Sequence, residues 1–192
     1  MSSLRDDIKK ILIDESVITH RIDNLSKQIE ADFSGKDMMM IGILNGGCVF
    51  VADLLKRFSL PLTLEFLSVS SYRGEMVSGG TVSFRQMDMP SVAGKHILLV
   101  DDIFDTGRTM TVVAEKLLLA GAENVKTCAF ARKAIRRDDV TDMDYVAFDI
   151  GDEFVVGYGL DYMGYYRNLP FVGELSLEAI ERLKTKPLIT NP

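Results

Sequence analysis

Four short apolar runs set the terms on which this chain can fold: MMMIGIL (38–44), LTLEFLSVS (62–70), HILLV (96–100) and VKTCAFA (125–131). Each is too short for an ordinary helix and is bounded by polar or glycine-containing turns, so each reads as a buried strand. Helical stretches alternate with them. SVITHRIDNLSKQIEADF (16–33) sets Ile18, Ile22, Leu25, Ile29 and Phe33 at spacings of three and four, with Ser16 as N-cap and Gly35 as terminator. GCVFVADLLKRF (47–58) and TVVAEKLLLAGA (111–122, stopped at Gly121) supply two more helices. Strands connected through helices run parallel with right-handed crossovers. The expected fold class is therefore α/β, a mostly parallel twisted sheet flanked by helices. SYRGEMVSGGTVSFRQMD (71–88) has no apolar helical stripe and three glycines, which suits a surface hairpin or a lid.

Past residue 131 the character changes. RKAIRRDDVTDMD (132–144) is charged throughout, and YVAFDI, EFVVGYGLDY and RNLPFVG are short, aromatic and glycine-containing. They predict a small lobe of irregular strands. No repeat or linker separates it, so the 192 residues read as a single domain. The core is expected over about 35–131, and a hood is expected from the N-terminal segment together with about 132–175. No apolar run approaches the roughly 20 residues that span a bilayer, and MSSLRDDIKK lacks a signal-peptide pattern. The expectation is a cytoplasmic protein with no membrane partner. Cys48 and Cys128 lie in apolar stretches without CxxC spacing and read as reduced thiols. A net charge of -6 argues against a general nucleic-acid binder.

The most informative stretch is ILLVDDIFDTGRTM (97–110). Burying its acids unpaired inside a strand would be costly. They make sense if the chain leaves the sheet at Val100, with Asp101 and Asp102 at the carboxyl end of the strand and Asp105 in the loop beyond. Open α/β sheets bind their ligands there. Taken singly, each acid reads equally well as a solvated strand end, and Asp105 and Thr106 as turn and cap residues. Together they fit something narrower. A helix beginning near Gly107 offers unpaired N–H groups and the positive end of its dipole, beside the Thr106 and Thr109 hydroxyls, which suits a phosphate monoester. Adjacent carboxylates accept hydrogen bonds from a vicinal diol or position a magnesium ion that does so. Phosphate at one end and diol at the other describe a ribose 5-phosphate. No GxxxxGK[ST] or GxGxxG pattern competes.

LLVDDIFDTGRTM (98–110) resembles the phosphoribosyl pyrophosphate motif of the type I phosphoribosyltransferases: apolar residues, two acids, two apolar residues, then D-T/S-G-x-T. FARKAIRR (130–137) and DEFVVGYGLDYMGYYRNLPFVGEL (152–175) are similar to the hood of the 6-oxopurine branch, the hypoxanthine-guanine enzymes. SSYRG (70–74) resembles their Ser-Tyr lid element, and GILNGGCVF (42–50) stands where their pyrophosphate loop stands. The resemblance runs in order from about residue 10 to residue 175.

It implies a transferase acting on phosphoribosyl pyrophosphate and a 6-oxopurine base, with Mg2+ as cofactor, in a homodimer or homotetramer. The reaction passes through an oxocarbenium-like state, as in glycoside cleavage. Asp105 is implied as general base at the purine N7 proton while N9 attacks, with the lid dyad Ser71 and Tyr72 covering the site. Asp101 and Asp102 are implied to hold the ribose hydroxyls, with a magnesium ion bridging them to the pyrophosphate, and Thr106, Gly107, Arg108 and Thr109 to hold the 5-phosphate. Asp161 engages a second magnesium, and Arg167 neutralises the leaving pyrophosphate beside the loop Leu44-Asn45-Gly46. Lys133 contacts O6, Phe154 stacks on the ring and the Val155 backbone reads its Watson-Crick edge. An amino group at position 6 would set donor against donor at Lys133, so oxopurines are favoured over adenine. One departure stands out: the family loop reads Leu-Lys-Gly or Leu-Arg-Gly, and here Asn45 replaces the cation with an amide donor. Two rival readings share the fold, a xanthine-preferring transferase and a nucleotide-sensing regulator. A regulator could have lost Asp105, Ser71-Tyr72 or Asp161, and all are retained.

Overall fold

A computed structural model describes residues 4–71, 82–84, 89–133 and 143–185. In chain order these form a 3-10 turn (Leu4–Asp7), β1 (Ile8–Ile13), α1 (Glu15–Phe33), β2 (Met38–Leu44), α2 (Cys48–Leu55), β3 (Leu62–Ser71), β4 (Val82–Phe84), β5 (His96–Phe104), α3 (Arg108–Leu119), β6 (Asn124–Lys133), β7 (Tyr145–Ile150), β8 (Val155–Val156), β9 (Val172–Leu175) and α4 (Leu177–Lys184). The chain divides into two compact units, His20–Asp152 and Met1–Thr19 with Glu153–Pro192.

The larger unit is built on one sheet of order β4-β3-β2-β5-β6-β7. Strands β3, β2, β5, β6 and β7 are parallel, and β4 pairs antiparallel with β3. Helices on both faces explain why its central strands are unbroken apolar runs: Met38 to Ile43 are buried throughout, and Ile97 to Val100 have no exposure at all. On one face Met39, Ile41, Ile97 and Leu99 pack with Met110, Val113 and Leu117, the inward stripe of α3. Elsewhere in the unit, Phe130 meets Phe50 and Phe148 edge-on, with ring centroids 5.6 and 5.4 Å apart. Helix α1 buries the five residues its spacing predicts, Ile18, Ile22, Leu25, Ile29 and Phe33. Its cap differs from the expected Ser16: Asp14 Oδ1 accepts from the Ser16 N–H at 3.2 Å and from its hydroxyl at 3.3 Å.

Two strands depart from the sequence reading. YVAFDI, expected in the small lobe, is β7 and pairs parallel with β6 as an edge of the main sheet. Tyr145, Ala147 and Ile150 are buried, and the Arg21 guanidinium donates to the Ala147 and Val146 carbonyls at 2.7 and 2.6 Å. Strand β5 runs on past Val100 to Phe104.

The smaller unit holds an antiparallel sheet of order β1-β9-β8. β1 (IKKILI) has no strand signal stronger than its charged neighbourhood, and it forms by pairing with β9. Asp7, 5 % exposed, is the polar centre: its Oδ2 accepts from the Tyr166 hydroxyl at 2.9 Å and from Arg182 of α4 at 2.6 Å. Burial first, then the Asp7 carboxylate, push Tyr166 up to about 12. Ser176 caps α4 by accepting from the Ala179 N–H at 3.2 Å, and Ala179 and Leu183 join Val156, Leu169 and Phe171 in this unit's core. Among the described residues no helix is long and apolar enough to cross a membrane.

Candidate active site

Parallel strands put their carboxyl ends on one edge of a sheet. In the larger unit that edge carries Leu44 (end of β2), Ser71 (end of β3), Asp101 to Phe104 (end of β5) and Lys133 (end of β6). Tyr72 lies outside the described residues. β5 has two neighbours only up to Val100, opposite Gly42 of β2. Beyond that point β2 turns away into Asn45-Gly46-Gly47, while β6 pairing continues through Asp101↔Ala129, Ile103↔Ala131 and Phe104↔Arg132. Asp101 and Asp102, expected at the carboxyl end of the strand, therefore occupy a strand overhang that stays paired on one edge, with Asp105 beyond it.

The glycine loop lies directly on this overhang. A Cβ on Gly46 would collide with the Asp102 carboxylate, and one on Gly47 would stand 2.7 Å from the Ile43 carbonyl oxygen and 3.4 Å from the Asp101 Cα. Only glycines permit that approach. The Leu44–Asn45 peptide is cis, and Asn45 is exposed. The Asp102 N–H donates to Asp101 Oδ1 at 2.9 Å and the Ile103 N–H to Asp102 Oδ1 at 2.8 Å, which holds both carboxyl groups to the backbone. Asp101 keeps part of its surface, yet its carboxyl is closely surrounded by protein. Burial, followed by the neighbouring Asp102 charge, raises its pKa well above the usual carboxylate range. Two crowded carboxylates of this kind fit a divalent cation. Among the described residues no three His, Cys, Asp or Glu side chains converge. An ion here would complete its shell with water and substrate oxygens, which is the habit of magnesium.

Beyond the overhang, Asp105 is half-buried and Gly107, at φ 70°, opens α3 without a side-chain cap. The Thr106 hydroxyl accepts from the Arg108 N–H at 3.4 Å, and the Thr111 N–H and hydroxyl both donate to the Gly107 carbonyl, at 2.9 and 3.0 Å. The first-turn N–H groups of α3 thus rise beside Thr106, Arg108 and Thr109, an arrangement suited to an anion. Lys133 closes β6, half-buried and paired with Ile150, and its neighbour Arg132 is held by Asp149 at 2.7 Å.

In the smaller unit, Phe154 is 45 % exposed and stands edge-on to Tyr162, centroids 5.2 Å apart. Val155 is buried in β8 opposite Glu174. Asp161 and Arg167, read from the sequence as two separate pyrophosphate contacts, are paired with each other: Arg167 Nη2 lies 2.7 Å from Asp161 Oδ1. Sequence reasoning missed Gly159 and Gly164, which complete this arrangement through their backbones; the glycine-rich spacing of GYGLDYMG was its only trace.

Comparison with known proteins agrees with this geometry. Residues 11–163 match the model of the phosphoribosyl transferase domain. A hypoxanthine-guanine phosphoribosyltransferase of Aquifex aeolicus is 41% identical over 174 residues, spanning 90% of this chain and 97% of that protein. The bifunctional protein TilS/HprT of Listeria innocua is 38% identical over 176 residues, 92% of this chain, and the chain spans only 27% of that longer relative. Among solved structures, a hypoxanthine phosphoribosyltransferase of Staphylococcus aureus superposes with a TM-score of 0.85 at 36% identity, covering 93% of this chain and 98% of that one. A helix start suited to an anion, a glycine loop against paired acids, and relatives matched over nine-tenths of the chain at this identity lead to one assignment: the chain belongs to the phosphoribosyltransferase family, in its hypoxanthine-guanine branch.

Proposed function

We propose that the protein is a purine-salvage enzyme that transfers the phosphoribosyl group of phosphoribosyl pyrophosphate to N9 of hypoxanthine or guanine, giving IMP or GMP and pyrophosphate. The observation that supports it most is the overhang of Asp101 and Asp102 under Gly46, followed directly by the uncapped start of α3. That is a diol-and-cation end and a phosphate end in one continuous segment.

In this reading the α3 start with Thr106, Gly107, Arg108 and Thr109 takes the 5-phosphate, and Asp101 and Asp102 take the ribose hydroxyls and a Mg2+ ion. The ion, when bound, neutralises charge on the pyrophosphate. Asp105 accepts the purine N7 proton as the C1–N9 bond forms and the C1–O bond to pyrophosphate breaks. Leu44, Asn45 and Gly46 receive the leaving group through backbone N–H groups and the Asn45 amide, and Ser71 with Tyr72 shields the cationic ribose from water. In the smaller unit, Arg167 balances pyrophosphate charge, Asp161 serves the second cation, and Phe154 and Val155 stack on and read the base. Lys133 donates to O6. The setting is cytoplasmic and the assembly a homodimer or homotetramer, as the family resemblance implies.

Initial rates with hypoxanthine, guanine, xanthine and adenine at fixed magnesium and phosphoribosyl pyrophosphate test the reading. Hypoxanthine and guanine should lead, with adenine far behind. Faster turnover of xanthine or adenine overturns the base assignment, and no transfer to any of the four overturns the enzyme.

A further inference from the structure

We propose that the Arg132–Asp149 ion pair is the peg that sets Lys133 against Asp105, so that the two read O6 and the N7 proton of one purine edge as a unit. The inference rests on the phosphoribosyltransferase reading above and deepens it, with Arg132 and Asp149 as positioning residues.

The geometry starts from strand register. β5, β6 and β7 run parallel, and toward their carboxyl ends Phe104 stands opposite Arg132, and Arg132 opposite Asp149. Asp105 follows Phe104, and Lys133 follows Arg132. The two candidate base contacts therefore leave the sheet at the same level on neighbouring strands, whose axes lie about 4.8 Å apart. In a 6-oxopurine, N7 and O6 lie on the same edge of a rigid ring. Such a target demands a donor and an acceptor at a fixed separation, and a shift of the β6 end would be felt at the base.

The end of β6 is the weak point of that arrangement. Its outer neighbour β7 is the edge strand of the sheet and ends at Ile150, opposite Lys133. Ladders open first at their ends. Arg132 Nε donates to Asp149 Oδ1 at 2.7 Å across the pair just before that end, and opposite charges facing each other across a ladder reinforce it. β7 is itself anchored by Arg21 of α1, which donates to the Val146 and Ala147 carbonyls. Alternation along β6 sends Arg132 to the face of Phe130, which meets Phe50 of α2. It sends Lys133 to the face of Ala129, which packs in the core with α3, the helix that follows Asp105. The ion pair thus braces the strand end from the face opposite Lys133. With its side chains 32% and 61% exposed, the pair is too well solvated to add much to folding stability. Its effect belongs in base recognition.

Steady-state kinetics on the whole enzyme, with base and phosphoribosyl pyrophosphate varied in turn, test it. Arg132→Met and Asp149→Asn should each lower kcat/KM for hypoxanthine by about threefold to tenfold. The KM for phosphoribosyl pyrophosphate should stay within about twofold and Tm within about 2 °C. The double variant should match either single variant, and Asp149→Glu, which keeps the charge, should recover most of the loss. In a Lys133→Met background Arg132→Met should cost nothing further, because the pair acts through Lys133. A merely structural pair would lower Tm and repeat its loss in that background. Either of those results, or a kcat/KM for hypoxanthine within about twofold of wild type in both single variants, overturns the inference and leaves the enzyme reading standing. Wild type that transfers to neither hypoxanthine nor guanine overturns both. If Arg132→Met does not fold, Asp149→Asn carries the same expectations.

Discussion

Gly46→Ala tests the contact that ties the glycine loop to the acids. The added Cβ would overlap the Asp102 carboxylate, Oδ2 first. Gly46 does not sit in the left-handed region, so alanine meets no backbone strain and the effect comes from overlap alone. Relief requires the carboxylate or the loop to retreat by about 1 to 2 Å to reach van der Waals contact. Overpacking of this kind costs about 1 to 3 kcal/mol. Stiffening the unfolded chain returns about 0.4 to 1 kcal/mol, so Tm should drop by only about 2 to 6 °C. Catalysis should suffer more. A misplacement of about 1 Å costs on the order of 10² in rate, about 2.7 kcal/mol of transition-state stabilisation. The assay is kcat and KM over a range of phosphoribosyl pyrophosphate at saturating hypoxanthine, with Tm measured alongside. Gly35→Ala is the control, because Gly35 has φ 73° and nothing within 4 Å of its Cβ site. It should lose about 1 kcal/mol of stability with kcat/KM unchanged. A Gly46→Ala enzyme within about threefold of wild type in kcat/KM would refute the claim that loop and acids are set against each other.

The other expectations are briefer. Asp105→Asn should lower kcat by on the order of 10² to 10⁴ with phosphoribosyl pyrophosphate binding largely retained, and a near-normal kcat in single-turnover measurements would remove it as the base. Lys133→Met should cut kcat/KM for hypoxanthine and guanine by on the order of tenfold to a hundredfold, the worth of one charge-assisted hydrogen bond, while any adenine activity falls less. Equal losses on all three bases would assign Lys133 to something other than O6. Asp7→Asn removes the charge that Tyr166 and Arg182 share and should cost about 1.5 to 3 kcal/mol, read by thermal melting as a Tm lower by roughly 3 to 10 °C. A shift under about 1 °C would mean that the smaller unit does not depend on this centre.

The parallel core was legible because strands buried on both faces must be apolar along their whole length, and Met38 to Ile43 and Ile97 to Val100 are. Helix α3 was legible from the run TVVAEKLLLAGA and its stop at Gly121, and the structure shows its inward stripe to be Met110, Val113 and Leu117. What escaped was everything decided by a distant neighbour. The run of β5 beyond Asp102 to Phe104 was not legible because nothing local reveals that β6 stays paired after β2 leaves. YVAFDI carries the same alternation whether it edges a large sheet or lines a small lobe, and only pairing with Cys128 to Lys133 distinguishes them. Lys9 and Lys10 hid β1, whose partner β9 lies at the far end of the chain. The candidate site residues were named through a motif, and the pairing of Asp161 with Arg167 through none.

The overhang also explains how two like charges are held side by side without a protein cation supplied by the adjoining loop. Burial and the Asp102 charge both oppose ionisation of Asp101. The Asp102 N–H, donating to Asp101 Oδ1 at 2.9 Å, partly offsets this, because a hydrogen bond to a carboxylate favours its charged form, while the Ile103 N–H donates to Asp102 Oδ1 at 2.8 Å. Those donors stay fixed because Asp101, Ile103 and Phe104 remain paired to β6, and the open edge exists because β2 has turned into Asn45-Gly46-Gly47. Where the family motif places a lysine or arginine in that loop, this chain has Asn45, and Leu44 to Gly47 contain no charge at all. The loop thus brings no countercharge of its own to Asp101 and Asp102, and the sheet supplies the geometry that holds their carboxyl groups side by side.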